Sequence, residues 1–301
     1  MRQHNLPLRR RNKVRRPLEI KAEEASVRSV VSLTSALESL SSMQIAKTKN
    51  KVLISNQFFD EVWNIYKQIR VDVLFNFGRS PEEKPINKEL LILITAKGGL
   101  SGDIDQRLIR RCVEHYDSAQ NDVLVIGHHG ALKLKQAHID YQFYFDLPEK
   151  DYVNVDPLMD IIRRYGRSRI FYQDYISLSQ QEIKDVDLSE VVSSKGRVAD
   201  LDIIDKNLVS EKTYIFEPSS YQVAAYLENS ILRLTISQFI YDSRLAQVAS
   251  RFKAMSAAKE RSIGTATELH TEFNRSKRNQ VDTRLKESLA GLKKIRAAGA
   301  E

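Results

Sequence analysis

The sequence predicts an α/β fold joined to a coiled coil, with two long terminal helices forming an antiparallel coiled coil around a small, central, Rossmann-like α/β domain. Three observations lead there. Proline is absent between Pro17 and Pro81 and again after Pro218, and since proline breaks helix interiors, both ends of the chain are free to run as long helices. Apolar residues in both stretches recur at three- and four-residue steps. Between them, short buried-type strands alternate with short helices, the pattern of a largely parallel sheet.

The N-terminal helix is expected over 18–72. Val27, Val30, Leu33, Leu37, Leu40 and Met43 keep the helical step, and Val62, Ile65 and Ile69 continue it after Phe58 and Phe59. Val30, Leu37 and Leu40 are its expected seam residues. The C-terminal helix is expected over 218–296, where one heptad register takes in Leu227, Ile231, Leu234, Tyr241, Leu245, Val248, Phe252, Met255, Ala266, Leu269 and Phe273. A seam of that length indicates a coiled coil, with Leu234, Leu245, Val248 and Phe252 at its centre. Gln238, Lys259 and Ser262 fall in the same register and Gly264 interrupts it, so the helix is expected to outrun its partner beyond Met255. At about 1.5 Å per residue the two helices reach on the order of 100 Å and 70 to 80 Å. Helices at opposite ends of a chain pair antiparallel when the middle folds back on itself.

That middle, 86–217, reads as strands at Leu90 to Thr95, Val123 to Ile126, Tyr141 to Phe145 and Arg169 to Tyr175. Helices are expected at Ile104 to Tyr116, Leu132 to Ala137 and Pro157 to Tyr165. The Ser- and Asp-rich segment from Ser177 to Leu208 reads as a strand and a mobile loop, with a return strand at Tyr214 to Phe216.

The apolar fraction of 42% suits a folded core. The longest apolar run, Leu90 to Ile94, is far too short to span a bilayer, so any membrane association is read as peripheral. Cys112 is the one cysteine, which excludes an intrachain disulfide and a thiolate metal cluster. The net charge of +8 is local: Arg2, Arg9, Arg10, Arg11, Lys13, Arg15 and Arg16 supply seven positive charges in a stretch without an acid. Residues 1–17 therefore read as a basic disordered arm, and the body is close to neutral.

The segment Lys97-Gly98-Gly99-Leu100-Ser101-Gly102 stands where phosphates are often held. It lacks the P-loop and dinucleotide spacings, and Asp103 and Asp105 place negative charge where a phosphate would sit, so tight strand-to-helix packing is the preferred reading. His128 and His129 are adjacent, with no ligand at metal spacing, and read as surface histidines. Ser101, Ser177 and Ser179 have no nucleophile-elbow context. Paired carboxylates such as Glu82 and Glu83 read as solvated charge. No catalytic residue, cofactor site or metal site is assigned.

Particular residues then join the overall pattern. Tyr214-Ile215-Phe216-Glu217-Pro218 and Ala249-Ser250-Arg251-Phe252-Lys253-Ala254-Met255-Ser256-Ala257-Ala258 resemble the Tyr-x-Phe-Glu-Pro and Ala-Ala-Arg-Met-x-Ala-Met-x-x-Ala signatures of the gamma subunit of F-type ATP synthases. Phe273-Asn274 stands where that family has Tyr-Asn. Weaker matches are Thr95 with Gly99-Leu100-Ser101-Gly102, and Val125-Ile126-Gly127. The resemblance runs from about Val27 to Gly291. Departures occur at Ala36 to Leu40, Glu260-Arg261, Lys277-Arg278 and Val281 to Arg284, where the family has other residues at contacts with its catalytic ring.

What the resemblance implies is a central-stalk rotor subunit of a rotary ATP synthase, divergent from the family pattern. It would transmit torque between a membrane c-ring and a catalytic hexamer of alpha and beta subunits, with no active site and no cofactor of its own. The implied partners are the alpha, beta and epsilon subunits and the c-ring, with one copy per complex and no nucleic acid. The implied location is peripheral, on the cytoplasmic face of a bacterial plasma membrane. Arg251, Met255, Asn274, Lys277, Arg278 and Arg284 are the implied hexamer contacts. Two rivals are a nucleotide-binding α/β enzyme using the turn at Gly98 to Gly102, and a coiled-coil adaptor whose basic arm binds nucleic acid or lipid. Neither accounts for the Glu217-Pro218 and Ala254-Met255 signatures.

Overall fold

Both proline-poor ends of the chain are helical in a computed structural model that describes residues 15–68, 85–146, 153–188, 190–191, 217 and 219–298. Helix α1 covers Pro17–Gln68, with Pro17 at its start, where a missing N–H costs nothing. Helix α5 covers Ser220–Ala298. Between them lie β1 (Ile86–Ile94), α2 (Ile104–His115), β2 (Asn121–Ile126), α3 (His128–Gln136), β3 (Phe143–Phe145), α4 (Asp156–Ile162), β4 (Tyr165–Tyr175) and β5 (Gln181–Asp187). The expected return strand at Tyr214 to Phe216 and the basic residues before Arg15 lie outside the described residues.

The chain divides into two compact units, 38–254 and the pair of segments 1–37 with 255–301. The larger unit holds a five-stranded sheet in the order β3-β2-β1-β4-β5. β1 pairs in parallel with β2 and β4, β2 pairs in parallel with β3, and β5 closes the edge antiparallel to β4. Alternation along the strands sends side chains to two different cores. Leu90, Ile92, Ile94, Leu124, Ile126, Ile170 and Tyr172 meet α4 and the face of α5 formed by Leu232, Ile236, Phe239 and Ile240. Leu91, Leu93, Val123, Val125 and Phe171 meet Leu108, Ile109 and Cys112 of α2 and Ala131 and Leu134 of α3. α5 is thus one layer of an α/β/α sandwich as well as a partner for α1.

Within the same unit α1 meets α5 through Phe59, Trp63 and Ile231, with Val62, Tyr66 and Leu234 beside them. Tyr66 Oη donates to Glu228 Oε1 at 3.0 Å. Over this stretch α5 presents two apolar stripes, one toward α1 and one toward the sheet, and the heptad register accounts for the first alone.

In the smaller unit, Ser276 Oγ donates to the Arg15 carbonyl at 3.0 Å, and Arg15 Nη1 lies 3.5 Å from Glu272 Oε2. His270 Nδ1 lies 3.2 Å from Glu24 Oε1. Residue numbers rise along α1 as they fall along α5, so the helices run antiparallel. Met255, Ala266, Leu269 and Ser276 are buried and keep the heptad spacing, so the helices stay paired well past Met255, where the sequence suggests that the pairing ends. From Lys277 to Lys293 every residue is exposed.

The face that α1 buries is not the one its apolar residues suggest. Val30 and Leu40, expected on the seam, are 46% and 50% exposed, and Leu33 and Met43 are exposed with them. Ile20, Glu24, Thr34 and Ser41 are buried instead, with Val27, Val31 and Ile45 half-buried in the same register. Small hydroxyl residues fit this face because the helix itself satisfies them: Thr34 Oγ1 donates to the Val30 carbonyl at 2.8 Å. Glu24 keeps its charge beside Arg28, whose Nη2 donates to Oε1 at 2.7 Å. Leu37, the third expected seam residue, is half-buried. On α5, Leu245 is buried and Leu234, Val248 and Phe252 are half-buried.

Candidate functional site: the hold of the α/β unit on the C-terminal helix

The carboxyl ends of β1, β2 and β4 face α5, and polar side chains there take over from the apolar core. Asp105, in the first turn of α2, is 1% exposed. A carboxylate removed from water in this way requires partners. Its Oδ1 accepts from Gln173 Nε2 at 2.8 Å, and its Oδ2 accepts from the Ala96 amide at 3.3 Å and lies 2.8 Å from His129 Nδ1. Gln173, on β4, is fully buried. Its Oε1 accepts from Ser243 Oγ and, at 3.2 Å, from Gln247 Nε2, both on α5. One chain of hydrogen bonds therefore runs from α3 through α2 and the sheet into α5.

A second contact lies beside it. Ser250 Oγ donates to the Ser101 carbonyl at 2.6 Å, and Arg251 Nη2 donates to Ser101 Oγ at 3.3 Å. The approach depends on Gly102, at φ +69°, where an added Cβ would stand 3.5 Å from Ser250 Oγ and 3.9 Å from Ala254 Cβ. A Cβ added at Gly98 or Gly99 would meet no atom within 4 Å, so close packing belongs to Gly102 and not to the whole turn. Leu100 also takes a positive φ of 68°, in a region glycine occupies more readily.

Thr95 closes the top of β1. Its Oγ1 donates to the Ile126 carbonyl at 2.8 Å and accepts from the Gly130 amide at 3.0 Å. Gly127, at φ +98°, lets the β2 end pass so close that an added Cβ would lie 2.3 Å from the Thr95 carbonyl oxygen. On the far face, Cys112 is buried at 1% and burial pushes its thiol up to about 12. At the sheet edge, Arg169 bridges Glu89 at 3.2 Å and Asp185 at 3.1 Å. Burial works against the Asp185 charge, but bonds from Arg111 and Arg169 outweigh it and hold the carboxyl below its ordinary range.

The structure therefore revises two readings. His129 is half-buried and partners a buried carboxylate, and Asp105 serves the interior instead of repelling a phosphate. Sequence reasoning had no sign of Gln173, Ser243 or Gln247, since glutamine and serine look like surface residues until the fold places them together. Among the implied hexamer contacts, Asn274, Lys277, Arg278 and Arg284 are exposed. Arg251 is instead engaged with Ser101, and Met255 is 7% exposed, because both lie on the packed part of α5. No cluster of metal-ligating side chains is present among the described residues.

A sheet domain keyed by hydrogen bonds to a long helix, which is itself paired with a second long helix, defines a coiled-coil shaft protein. The chain belongs to the ATP synthase gamma-chain family, for the family model described as ATP synthase matches residues 18–294. The ATP synthase gamma chain of Neisseria meningitidis is 22% identical over 288 residues, covering 91% of this chain and 97% of that one. Among solved structures, a chain of the Euglena gracilis mitochondrial ATP synthase superposes with a TM-score of 0.54 at 11% identity, covering 88% of this chain and 96% of its own. A chain of the Tetrahymena thermophila mitochondrial ATP synthase central stalk and c-ring superposes with a TM-score of 0.52 at 14% identity, covering 75% and 99%. These likenesses bear on the fold.

Proposed function

We propose that this chain is the central-stalk rotor of a rotary ATP synthase, a non-catalytic component that carries torque between a membrane ring and a catalytic ring. The observation that carries the reading is the division of labour along α5. Its first part is held on one side by α1 and on the other by the sheet, through Leu232, Ile236 and the Gln173 network. Its last part, from Lys277 to Lys293, is exposed and carries Val281, Leu285, Leu289 and Leu292 at three- and four-residue steps. A helix gripped at one end and presenting an apolar stripe at the other suits a shaft that turns inside an apolar collar. Torque applied to the α/β unit reaches the helix through side chains that are already packed and hydrogen-bonded, so little rotation is lost to slack.

The partners that follow are the alpha and beta subunits around the exposed part of α5, and the epsilon subunit and c-ring beside the α/β unit. Asn274, Lys277, Arg278 and Arg284 are the polar contacts with the catalytic ring. The protein sits at the membrane through these partners, on the cytoplasmic face in a bacterium; no helix among the described residues is long and apolar enough to cross a bilayer. Rotation changes nucleotide affinity in the ring because an asymmetric shaft presses differently on each neighbour in turn.

The test is charge reversal at Lys277, Arg278 and Arg284 together in a reconstituted complex. The expected result is intact assembly with weakened ATP-driven rotation. Unaltered rotation overturns the assignment of these contacts, and failure to co-purify with two P-loop subunits overturns the rotor reading itself.

A further inference from the structure

The unit of residues 38–254 contains a cavity of about 210 Å³ that the rotor reading does not use. It lies outside the carboxyl ends of β1 and β2, bordered by Ile94, Thr95, Ile126 and Gly127, with α1 and α5 as its other walls. Open parallel sheets bind ligands at this end of their strands, where loops diverge and leave a crevice. The lining is strongly basic. Lys47 and Lys51 stand one turn apart on α1, Arg244 and Arg251 two turns apart on α5, and Lys97 closely follows β1. Five bases thus converge from three distant parts of the sequence, against Asp146 as the one acid among the described lining residues. Lys97 Nζ lies 3.1 Å from Asp146 Oδ2, so that acid is shared with a base that is itself part of the wall.

Bringing like charges to one cavity raises its potential and draws in an anion of matching charge density. Gln44, Thr48 and Gln247 add uncharged polar groups to the wall, and Ile94, Ile126, Ile240 and Val248 are its apolar part, which lowers the dielectric around the bases and strengthens their attraction for an anion. The space exceeds that of a single phosphate, yet it falls below the roughly 300–1,000 Å³ common for pockets that enclose drug-sized ligands. Of the glycine-rich segment that follows β1, Lys97 alone lines the cavity, and Gly98 to Gly102 do not.

We propose that the cavity binds a linear di- or triphosphate chain, with the lysines and arginines of α1, α5 and the end of β1 on its oxygens. The chain is either free inorganic polyphosphate or the tail of a nucleotide whose base projects from the mouth. Arginine contributes forked, bidentate contacts and lysine point charges. Since both helices and the sheet supply ligands, an anion seated here joins the elements of this unit and stabilises it. Such binding is independent of the rotor reading.

The experiment is calorimetric titration of the purified full-length chain with pyrophosphate and tripolyphosphate at fixed ionic strength, in parallel with ADP, ATP, orthophosphate and sulfate. The expected result is saturable one-to-one binding, tightest for tripolyphosphate and weakest for the single anions, with a matching rise in thermal midpoint. Lys51→Gln and Arg244→Gln should each weaken it about tenfold, the loss of one charged contact, and Lys293→Gln, on the exposed end of α5, should not. Lys97→Gln, outside both helices, is the variant to read where the helix variants fold poorly. ATP equal to tripolyphosphate assigns recognition to the phosphate chain alone; ATP about tenfold tighter adds the nucleoside. Absence of saturation up to millimolar anion, or affinity indifferent to the lining cations, overturns the proposal.

Discussion

Ser250 Oγ, on the C-terminal helix, donates a hydrogen bond of 2.6 Å to the main-chain carbonyl of Ser101 in the turn after β1. The two residues are 149 positions apart in sequence. A neighbouring bond from Arg251 to Ser101, and the network through Gln173, form a polar clamp that follows the apolar contact of α5 with the sheet. Apolar packing resists separation but tolerates sliding, whereas directed hydrogen bonds fix the register of a helix against a sheet. That combination is what a domain needs if it is to turn a helix without slipping along it.

The network should behave as a unit. Replacing Gln173 by leucine leaves the Asp105 carboxylate, Ser243 and Gln247 short of partners in a buried place, and should cost about 3 kcal/mol of stability in chemical denaturation. Ser243→Ala removes a donor from the same oxygen and should cost about 1 kcal/mol. The double variant should lose less than the sum of the two, because both act on one set of bonds. Strict additivity would argue against a connected network.

Gly127 should tolerate no side chain. Alanine there meets the Thr95 carbonyl at 2.3 Å and takes on a φ of +98°. The expected loss is more than about 3 kcal/mol, since backbone strain adds to the clash. Gly99→Ala, in open space, should stay within about 0.5 kcal/mol of the parent. Comparison of the two melting curves separates a steric requirement from a general sensitivity of glycine sites.

Cys112 should be inert to thiol reagents in the native chain and react at once in denaturant. Its neutral form is favoured in the folded state, where burial pushes the thiol up to about 12. The unfolded thiol ionises near pH 8.5. The contribution to stability is therefore complete below that pH and is lost as pH rises toward the folded value. Cys112→Ala should flatten the alkaline side of the stability profile, as followed by denaturant midpoints between about pH 8 and pH 10.

Acid should loosen the helix pair around Glu24. The hydrogen bond from Arg28 holds the Glu24 carboxyl below its ordinary range; burial opposes this, and the His270 side chain reinforces Arg28. Stability from this group is present above the unfolded value of about 4.3 and declines as pH falls through the lower folded value. Helical circular dichroism and melting temperature should fall in that window. Glu24→Gln should lower stability at neutral pH and remove this part of the acid dependence.

Much of the architecture is legible in the sequence for simple reasons. The carboxyl-end parts of β1 and β2, Leu90 to Ile94 and Val123 to Ile126, are continuous apolar runs, as expected of strands covered on both faces. The heptads of α5 extend to Phe273 because a helix packed against another helix needs an apolar residue about every half-heptad. The α1 face is another matter. Periodicity selects Val30, Leu33, Leu40 and Met43, yet Glu24, Thr34 and Ser41 are buried. A hydroxyl bonded to its own helix is cheap to bury, and such bonds leave no trace in a hydropathy pattern.

The amino-acid sequence by itself determined that two long helices flank a small parallel-sheet domain, because proline placement and apolar spacing are local properties of the chain. It also carried the family signatures at Glu217-Pro218 and Ala254-Met255. Only the tertiary structure decided which face of α1 is buried, how far α5 remains paired, and that Asp105, Gln173, Ser243 and Gln247 form one network. Those outcomes depend on groups brought together from distant parts of the chain. Whether a polar side chain is solvated or partnered is set by the neighbours that folding supplies, and spacing along the sequence does not encode them.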